Sequence, residues 1–373
     1  MKKYVFVLLA LAVLVFCWCN RCKPTNKDVI KIGALLSLTG DNAPQGNLAK
    51  NGILLAVEKV NKEGGINGKE IQLIIEDTRK TAEGTINAMK KIAILDKVSG
   101  IVVTGDIEFP VVNELADRYK IPIVATICTG MIENNRSSWL FRYCYNEEQE
   151  DEYLMRYVKE ELGLQEMALL YPNSTAGQAF YKYSKKYINS NGIKVVADVP
   201  YDTRSTNQRP DAMKIMNSNP PVICARGFGA SLDALLKHLG ELGYKGAVVG
   251  DLSLSASSML EAPNSVLKGA YVVASDMSLE STSNVVKEYA KSYKQKFGIA
   301  PCFWDAVTYD SFMYLYEAMK KSITENKEIK SVLYTIQPKD LLLGENWFEN
   351  GNDVVFKEMH IFQMNGSNLT KVK

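Results

Sequence analysis

Residues 30–78 set the organisation of the chain. Apolar residues run from 30 to 38 and stop at Thr39-Gly40-Asp41, a turn signal. After Pro44-Gln45-Gly46, apolar and small residues return at helical spacing, at Leu48, Gly52, Leu55, Ala56 and Val60. Gly64-Gly65 ends that helix, because glycine enters the left-handed cap without strain. Asn67-Gly68 makes a further turn, and Ile71, Leu73 and Ile75 alternate as a second strand. The pattern predicts one βαβ unit whose first loop opens at the carboxyl end of a strand, where open α/β sheets take their ligands.

The same rhythm continues downstream. A helix is predicted over 81–95, with Ala82, Ile86, Met89 and Ala93 on one face, followed by a strand at 100–104. A helix over 110–119 opens on Pro110, which suits a first helical turn, and a strand at 121–125 follows. Such alternation predicts a parallel sheet with right-handed crossovers. Residues 138–145 (SWLFRYCY) break the rhythm, and an acidic run occupies 146–152. Alternation restarts with strands at 167–171, 193–199, 222–225 and 247–250, and helices at 177–191, 207–217 and 231–242. After 269–274 come two long helical patterns, 284–297 and 304–322, and strands around Asn350-Gly351-Asn352. Two series separated near residue 145 predict two doubly wound α/β lobes of similar build, the usual setting for a cleft.

Composition adds exclusions. The chain has 373 residues, and roughly 100–200 residues per domain gives two or three domains. With 46% hydrophobic and 23% charged residues, it is ordinary globular material. A net charge of +2, with signs evenly mixed after residue 31, argues against a nucleic-acid partner, which needs clustered Lys and Arg. At the N-terminus, Lys2-Lys3 precede thirteen apolar residues, 4–16, then Cys17, Trp18 and Cys19. A basic start and a short apolar run describe a secretory signal, and the run falls short of the roughly 20 residues of a spanning helix. Its close on cysteine leaves three fates open: lipid attachment, plain cleavage, or an uncleaved anchor. Leu14-Val15-Phe16-Cys17 is the best lipoprotein frame, although Phe16 stands where a small residue is expected, and Cys19 and Cys22 are framed less well. A structural zinc site is disfavoured there, because no fourth ligand lies nearby. Cys128, Cys144, Cys224 and Cys302 show no close-spaced disulfide framework and read as small buried residues.

Catalytic chemistry finds little support. The two histidines, His238 and His360, lie on a helical and a strand pattern, and no Ser–His–acid or Cys–His set can be assembled from spacing. No GxGxxG or GxxxxGK follows a strand, so a phosphate cradle is unsupported. Glu147-Glu148 and Glu150-Asp151-Glu152 read as a solvated face near a hinge rather than an acid/base pair. No enzyme activity, cofactor or metal is expected.

The segment LSLTG, Gly52, AVEKVN followed by GGINGK, and a strand ending Glu76-Asp77 together resemble the amino-acid-binding periplasmic proteins. These are the leucine/isoleucine/valine-binding type, solute receptors of ABC importers. GENWFENGND resembles that family's final segment, and sequence order lets the likeness extend over 28–373. The resemblance implies the type I periplasmic-binding-protein fold, with a leader at 1–22 and three crossings between lobes, near Tyr145, near 274–276 and near 344–348. Lobe one would then be 28–145 plus 276–346, and lobe two 146–275 plus 347–373. Its implied partners are a small amino-acid-like ligand and a membrane permease. A ligand-sensing receptor or regulatory protein on the same fold is the alternative.

The resemblance also nominates a site. The loop after the fourth strand, with Ile127, Cys128 and Thr129, would hold a ligand carboxylate through backbone groups and the Thr129 hydroxyl. A plain turn with a capping threonine is the other reading. Where the family offers serines after the third strand, this chain has Asp106 and Glu108, which would repel a carboxylate and attract an ammonium or hydroxyls, or else cap the next helix. Gln45 and Ala176 stand where the family often carries aromatics. Phe228 matches a ligand-facing aromatic, and Asp251 or its neighbour Leu252 matches an acid for the ligand's amino group. Arg226 reads either as an extra charge for an acidic ligand or as a surface residue.

Overall fold

The structure, a computed structural model, describes residues 29–40, 43–128, 136–144, 147–205, 207–227, 229–260, 262–274, 283–348, 352–366 and 368–373; for residues 175, 176, 256 and 368 the description is of the backbone alone. The leader and the first two predicted crossings lie outside the described residues.

Five parallel strands form the first sheet: β1 (Ile30–Leu36), β2 (Ile71–Asp77), β3 (Gly100–Thr104), β4 (Ile123–Thr126) and β5 (Leu140–Arg142), in the order β2-β1-β3-β4-β5. β3 and β4 are buried along their whole length, as expected of parallel strands covered on both faces. The second sheet takes β6 (Glu166–Pro172), β7 (Lys194–Tyr201), β8 (Val222–Ala225), β9 (Ala247–Asp251) and β10 (Tyr271–Ala274), in the order β7-β6-β8-β9-β10. That order repeats the first sheet's, so the two lobes share one plan. Later in the chain come a two-stranded ribbon, β11 (Asn346–Phe348) with β12 (Val354–Phe356), and two strands that extend the second sheet antiparallel, β13 (His360–Asn365) and β14 (Asn368–Lys371). The stretch SWLFRYCY, which breaks the sequence rhythm, supplies β5. Three residues flanked by a long loop are too few to show alternation.

Helix α1 (Ala43–Lys62) buries Gly46, Ala49, Gly52, Ile53, Ala56, Val57 and Val60, while Leu48 and Leu55 stay half-buried at its margin. Close packing explains why the small residues face in. α1 lies against a later helix, Phe303–Glu325, at a distance where a Cβ on Gly52 would come within 1.9 Å of the Asp305 carbonyl oxygen. The first turn is equally tight, since a Cβ on Gly46 would meet the Ser37 carbonyl oxygen at 1.8 Å. The predicted helix over 81–95 divides into α2 (Ala82–Lys90) and a wider π turn, Lys91–Asp96. Thr81 caps α2 by accepting from the Gly84 amide. The turn buries Ile92 and leaves Ile94 and Leu95 exposed.

The remaining helices are α3 (Glu108–Tyr119), α4 (Glu147–Glu160), α5 (Thr175–Ser190), α6 (Arg209–Ser218), α7 (Ala230–Glu241), α8 (Asn284–Phe297), α9 (Phe303–Glu325) and α10 (Ile329–Thr335). α9 is buried from Asp305 to Tyr316, and the two carboxylates on that stretch are satisfied internally. Asp305 accepts from Tyr289 Oη (2.6 Å) and the Cys302 amide (2.7 Å), and Asp310 from the amides of Leu342 (2.9 Å) and Leu343 (2.8 Å). Among the described residues no helix is long and apolar enough to cross a membrane.

The α1–α9 contact makes a direct prediction. Gly52→Ala forces a methyl group into the Asp305 backbone and should destabilise by about 1–3 kcal/mol, the usual cost of overpacking. Lys50→Ala on the same helix should stay within about 0.5 kcal/mol. Urea denaturation of the two variants checks this.

Candidate functional site

Both sheets end on the same kind of edge, with loops rising from the carboxyl ends of β1, β3 and β4 in one lobe and β6, β8 and β9 in the other. In lobe one the loop after β1 is fixed by Asp77, which accepts from the Leu38 amide (2.9 Å) and Thr39 Oγ1 (2.6 Å). α1 starts directly above it and carries Gln45, whose Oε1 is buried without a hydrogen-bond partner.

Glu108 does not cap its helix, since Ile107 holds the N-cap position and no side chain bonds there. Its fully buried carboxylate turns inward instead. Oε1 accepts from Ser37 Oγ (2.7 Å) and Thr78 Oγ1 (2.5 Å), which ties the start of α3 to the ends of β1 and β2. Oε2 lies over Gly105, where an added Cβ would sit 2.2 Å away, and has no partner. Gly105 has φ +115°, so this loop needs glycine both for its backbone and for the room that Glu108 takes. Asp106 is exposed on the same loop.

After β4 the chain turns at Ile127, a β-branched residue held at φ +56°, and Cys128 is buried behind it. Thr126, one step earlier, buries its hydroxyl without a partner. The sequence pattern ends the strand at 125 and leaves Thr126 in the loop without a role, whereas in the structure Thr126 closes β4. Thr129 and Phe228 lie outside the described residues, and so does the side chain of Ala176.

In lobe two the carboxyl edge is built around Arg226, just after β8. Arg226 is neither a surface residue nor a charge available to an acidic ligand. It is buried against three carboxylates: Nη1 lies 3.1 Å from Asp251 Oδ2 and 3.4 Å from Glu150 Oε2, and Nη2 bonds Asp151. The Phe180 ring lies 5.7 Å from the guanidinium, and Ser184 Oγ donates to Asp151 (3.0 Å). Asp251 also accepts from the Ser253 amide (2.8 Å), capping a 3-10 turn, Leu252–Ala256. Asp251 is therefore engaged by Arg226 before any ligand amine arrives. Burial pushes Glu150 well above the ordinary carboxylate range, Arg226 pulling the other way, and raises Asp151 in the same manner.

A second buried arginine closes lobe one. Arg142, at the end of β5, donates from Nε to Asp353 Oδ1 (2.8 Å) and lies 3.4 Å through Nη1 from Glu147 Oε2. The Arg142 amide donates to the Asn352 carbonyl (2.7 Å), and Asn352 Nδ2 donates to the Leu140 carbonyl (2.8 Å). The acidic run is thus not a solvated face. Glu147, Glu150 and Asp151 are buried at the start of α4, facing one arginine from each lobe, while Glu148 and Glu152 stay toward solvent. Spacing alone could not show this, since the partners lie far away in sequence.

The histidines stay apart from this edge. His238 lies on α7 beside Glu241 (2.9 Å), and His360 on β13 beside Lys371 (3.1 Å). Among the described residues no three His, Cys, Asp or Glu side chains group to hold a metal ion.

Glu147 gives the edge a pH dependence. Burial pushes it from 4.5 to about 7, with Arg142 opposing the rise. Between these values the folded protein holds a proton that the unfolded chain has released. Stability therefore falls as pH rises through this window, by up to about 3 kcal/mol. Asp305, pushed up to about 6, and Asp310, up to about 7, act in the same direction. Glu147→Gln should flatten part of the decline between pH 5 and 8, leaving the slope of the other two, as read by denaturation midpoints across that range.

Comparison with known proteins completes the picture. The sequence profile of the family described as periplasmic binding protein matches residues 29–368. Leu/Ile/Val-binding protein homolog 3 of Brucella melitensis is 26% identical over 231 residues, 61% of this chain and 62% of its own length. The chain thus spans about three-fifths of that relative, whereas homolog 7 of the same organism is 23% identical across 93% of this chain and 88% of its own. Among solved structures, a leucine-binding protein of Thermotoga maritima superposes with a TM-score of 0.80 at 17% identity, covering 92% of this chain and 98% of that one. A branched-chain amino acid transporter substrate-binding protein of Streptococcus pneumoniae, in complex with isoleucine, gives 0.79 at 20% identity over 93% of this chain and 100% of that one. A solute-binding protein of Rhodopseudomonas palustris in complex with 3,4-dihydroxybenzoic acid gives 0.79 at 19% identity, covering 92% and 96%. The chain belongs to the periplasmic binding protein family, whose members bind solutes, and it has the family's type I fold of two α/β lobes.

Proposed function

We propose that the chain is an exported solute receptor, which closes on a small polar ligand carrying a carboxylate and delivers it to the permease of an ABC importer. The match of the family profile across both lobes carries this reading. Isoleucine and dihydroxybenzoic acid, bound by two proteins of this fold, share a carboxylate and differ in everything else. In this chain the carboxylate falls to the loop after β4, with Ile127, Cys128 and Thr129, while Gln45 and Asp106 line lobe one and Ala176 and Phe228 cover the ligand from lobe two. Asp251 and Glu108 contribute by holding the loops at each edge, since their carboxylates are already engaged. We assign 28–145 plus 276–346 to lobe one and 146–275 plus 347–373 to lobe two. The leader at 1–22 directs export, with a lipid on Cys17, Cys19 or Cys22 as the anchor. An amino acid or a related acid is the ligand this arrangement favours.

A thermal-shift screen of amino acids, amides, short peptides and aromatic acids identifies the ligand by its stabilisation of the folded form. Calorimetry with that ligand then tests the site. Thr129→Val keeps shape and loses a donor to an anionic group, so affinity should fall roughly ten- to a hundredfold. Phe228→Ala should weaken binding through lost apolar contact, and His238→Ala should change little. Wild-type affinity in both Thr129→Val and Phe228→Ala would remove the site assignment.

A further inference from the structure

β4 and β5 lie side by side at the edge of the first sheet, in parallel register, with Ala125 opposite Arg142 and the Tyr143 amide bonded to the Ala125 carbonyl (2.7 Å). Along β5 the side chains alternate between two cores. Leu140 and Cys144 belong to the core shared with α2 and α3, and Phe141 and Tyr143 to the core shared with α1 and α9. Along β4, Ile123 and Ala125 face the α2–α3 core and Val124 the other. Strict alternation would return Ile127 to the α2–α3 side and send Cys128 away from it. The left-handed backbone at Ile127, φ +56°, shifts the phase by one residue. Ile127 packs against the α1–α9 core, and Cys128 enters the α2–α3 core beside Cys144.

We propose that Cys128 and Cys144 are a disulfide pair, which in the oxidised protein bonds the loop after β4 to the end of β5. A disulfide spans Cα atoms about 4.4–6.8 Å apart, a separation that neighbouring strands about 4.8 Å apart bring within reach. The Cys128 amide is a hydrogen-bond partner of the Cys144 thiol, so Cys144 Sγ lies within a rotamer change of Cys128 Sγ. Both residues are thiols in the structure, at 0% and 7% exposure. Burial pushes Cys144 up to about 12 and Cys128 well above its ordinary value, so neither attacks as a thiolate while the segment is closed. The bond therefore forms as the chain folds. One thiolate displaces a thiol from a small disulfide to give a mixed disulfide, and the second displaces the other half. The two cysteines lose two protons and two electrons, and the small disulfide leaves as two thiols. An oxidising space outside the cytoplasm supplies such disulfides. The inference is independent of which ligand the cleft takes.

The test is peptide mapping of the full chain. Denatured, reduced protein is refolded in mixed reduced and oxidised glutathione, quenched with N-ethylmaleimide in denaturant, and digested with trypsin. Cleavage after Lys120, Arg136, Arg142 and Arg156 puts the cysteines on separate peptides, 121–136 and 143–156. The expected result is one linked species, two hydrogens lighter than the sum of the peptides, which Cys128→Ser and Cys144→Ser each abolish. Recovery of both peptides mainly as maleimide or glutathione adducts, or linked to other cysteines, overturns the proposal. Because refolding exposes both thiols to the oxidant, burial cannot mask a competent pair.

Discussion

The arrangement depends on keeping two buried guanidinium groups neutralised. Arg142 comes from the last strand of the first sheet and Arg226 from the middle of the second, and both meet carboxylates at the start of α4. Removing a partner from such a pair leaves a buried charge and costs about 3–5 kcal/mol, so this segment cannot leave either arginine without a large penalty. α4 packs with the second lobe, against α5, β9, β10 and β13, while Glu147 reaches to the first. Asp353, from the turn of the β11–β12 ribbon, completes the shell around Arg142. Segments distant in sequence are thereby held together where the chain first passes between sheets.

This constraint also bears on specificity. Three carboxylates crowd around one buried arginine, and burial, with the neighbouring carboxylates adding to it, pushes Glu150 well above the ordinary carboxylate range against the pull of Arg226. In lobe one Glu108 is likewise turned to structural work, against Ser37 and Thr78. Glu108 and Asp251 are therefore engaged in holding the loops at the carboxyl edges, and the buried polar atoms without a hydrogen-bond partner among the described residues of lobe one include the Thr126 hydroxyl, Gln45 Oε1 and Glu108 Oε2.

Much of the fold was legible because parallel strands buried on both faces read as unbroken apolar runs, and because α1 and α8 carry strong end signals. The helix 284–297 appears with the predicted bounds. What escaped was set by tertiary contact. β5 is too short to announce itself, the inward face of α1 is chosen by room for Gly52 rather than by leucine spacing, and the acidic run gains its inward direction from arginines far away in the chain. The phase shift at Ile127 is equally silent, since a β-branched residue gives no sequence signal for a left-handed backbone. Family membership was legible in motifs, whereas side-chain roles at the cleft edge required geometry.

The central claim is that two lobes, joined beside the fixed α4 clasp, close on a solute. Ligand contacts with both lobes stabilise the closed form, by no more than the difference in affinity between the two states. Small-angle X-ray scattering of the protein with and without the ligand that stabilises it tests this most directly. The account predicts a smaller radius of gyration when ligand is bound; an unchanged radius with a confirmed, saturating ligand would contradict it.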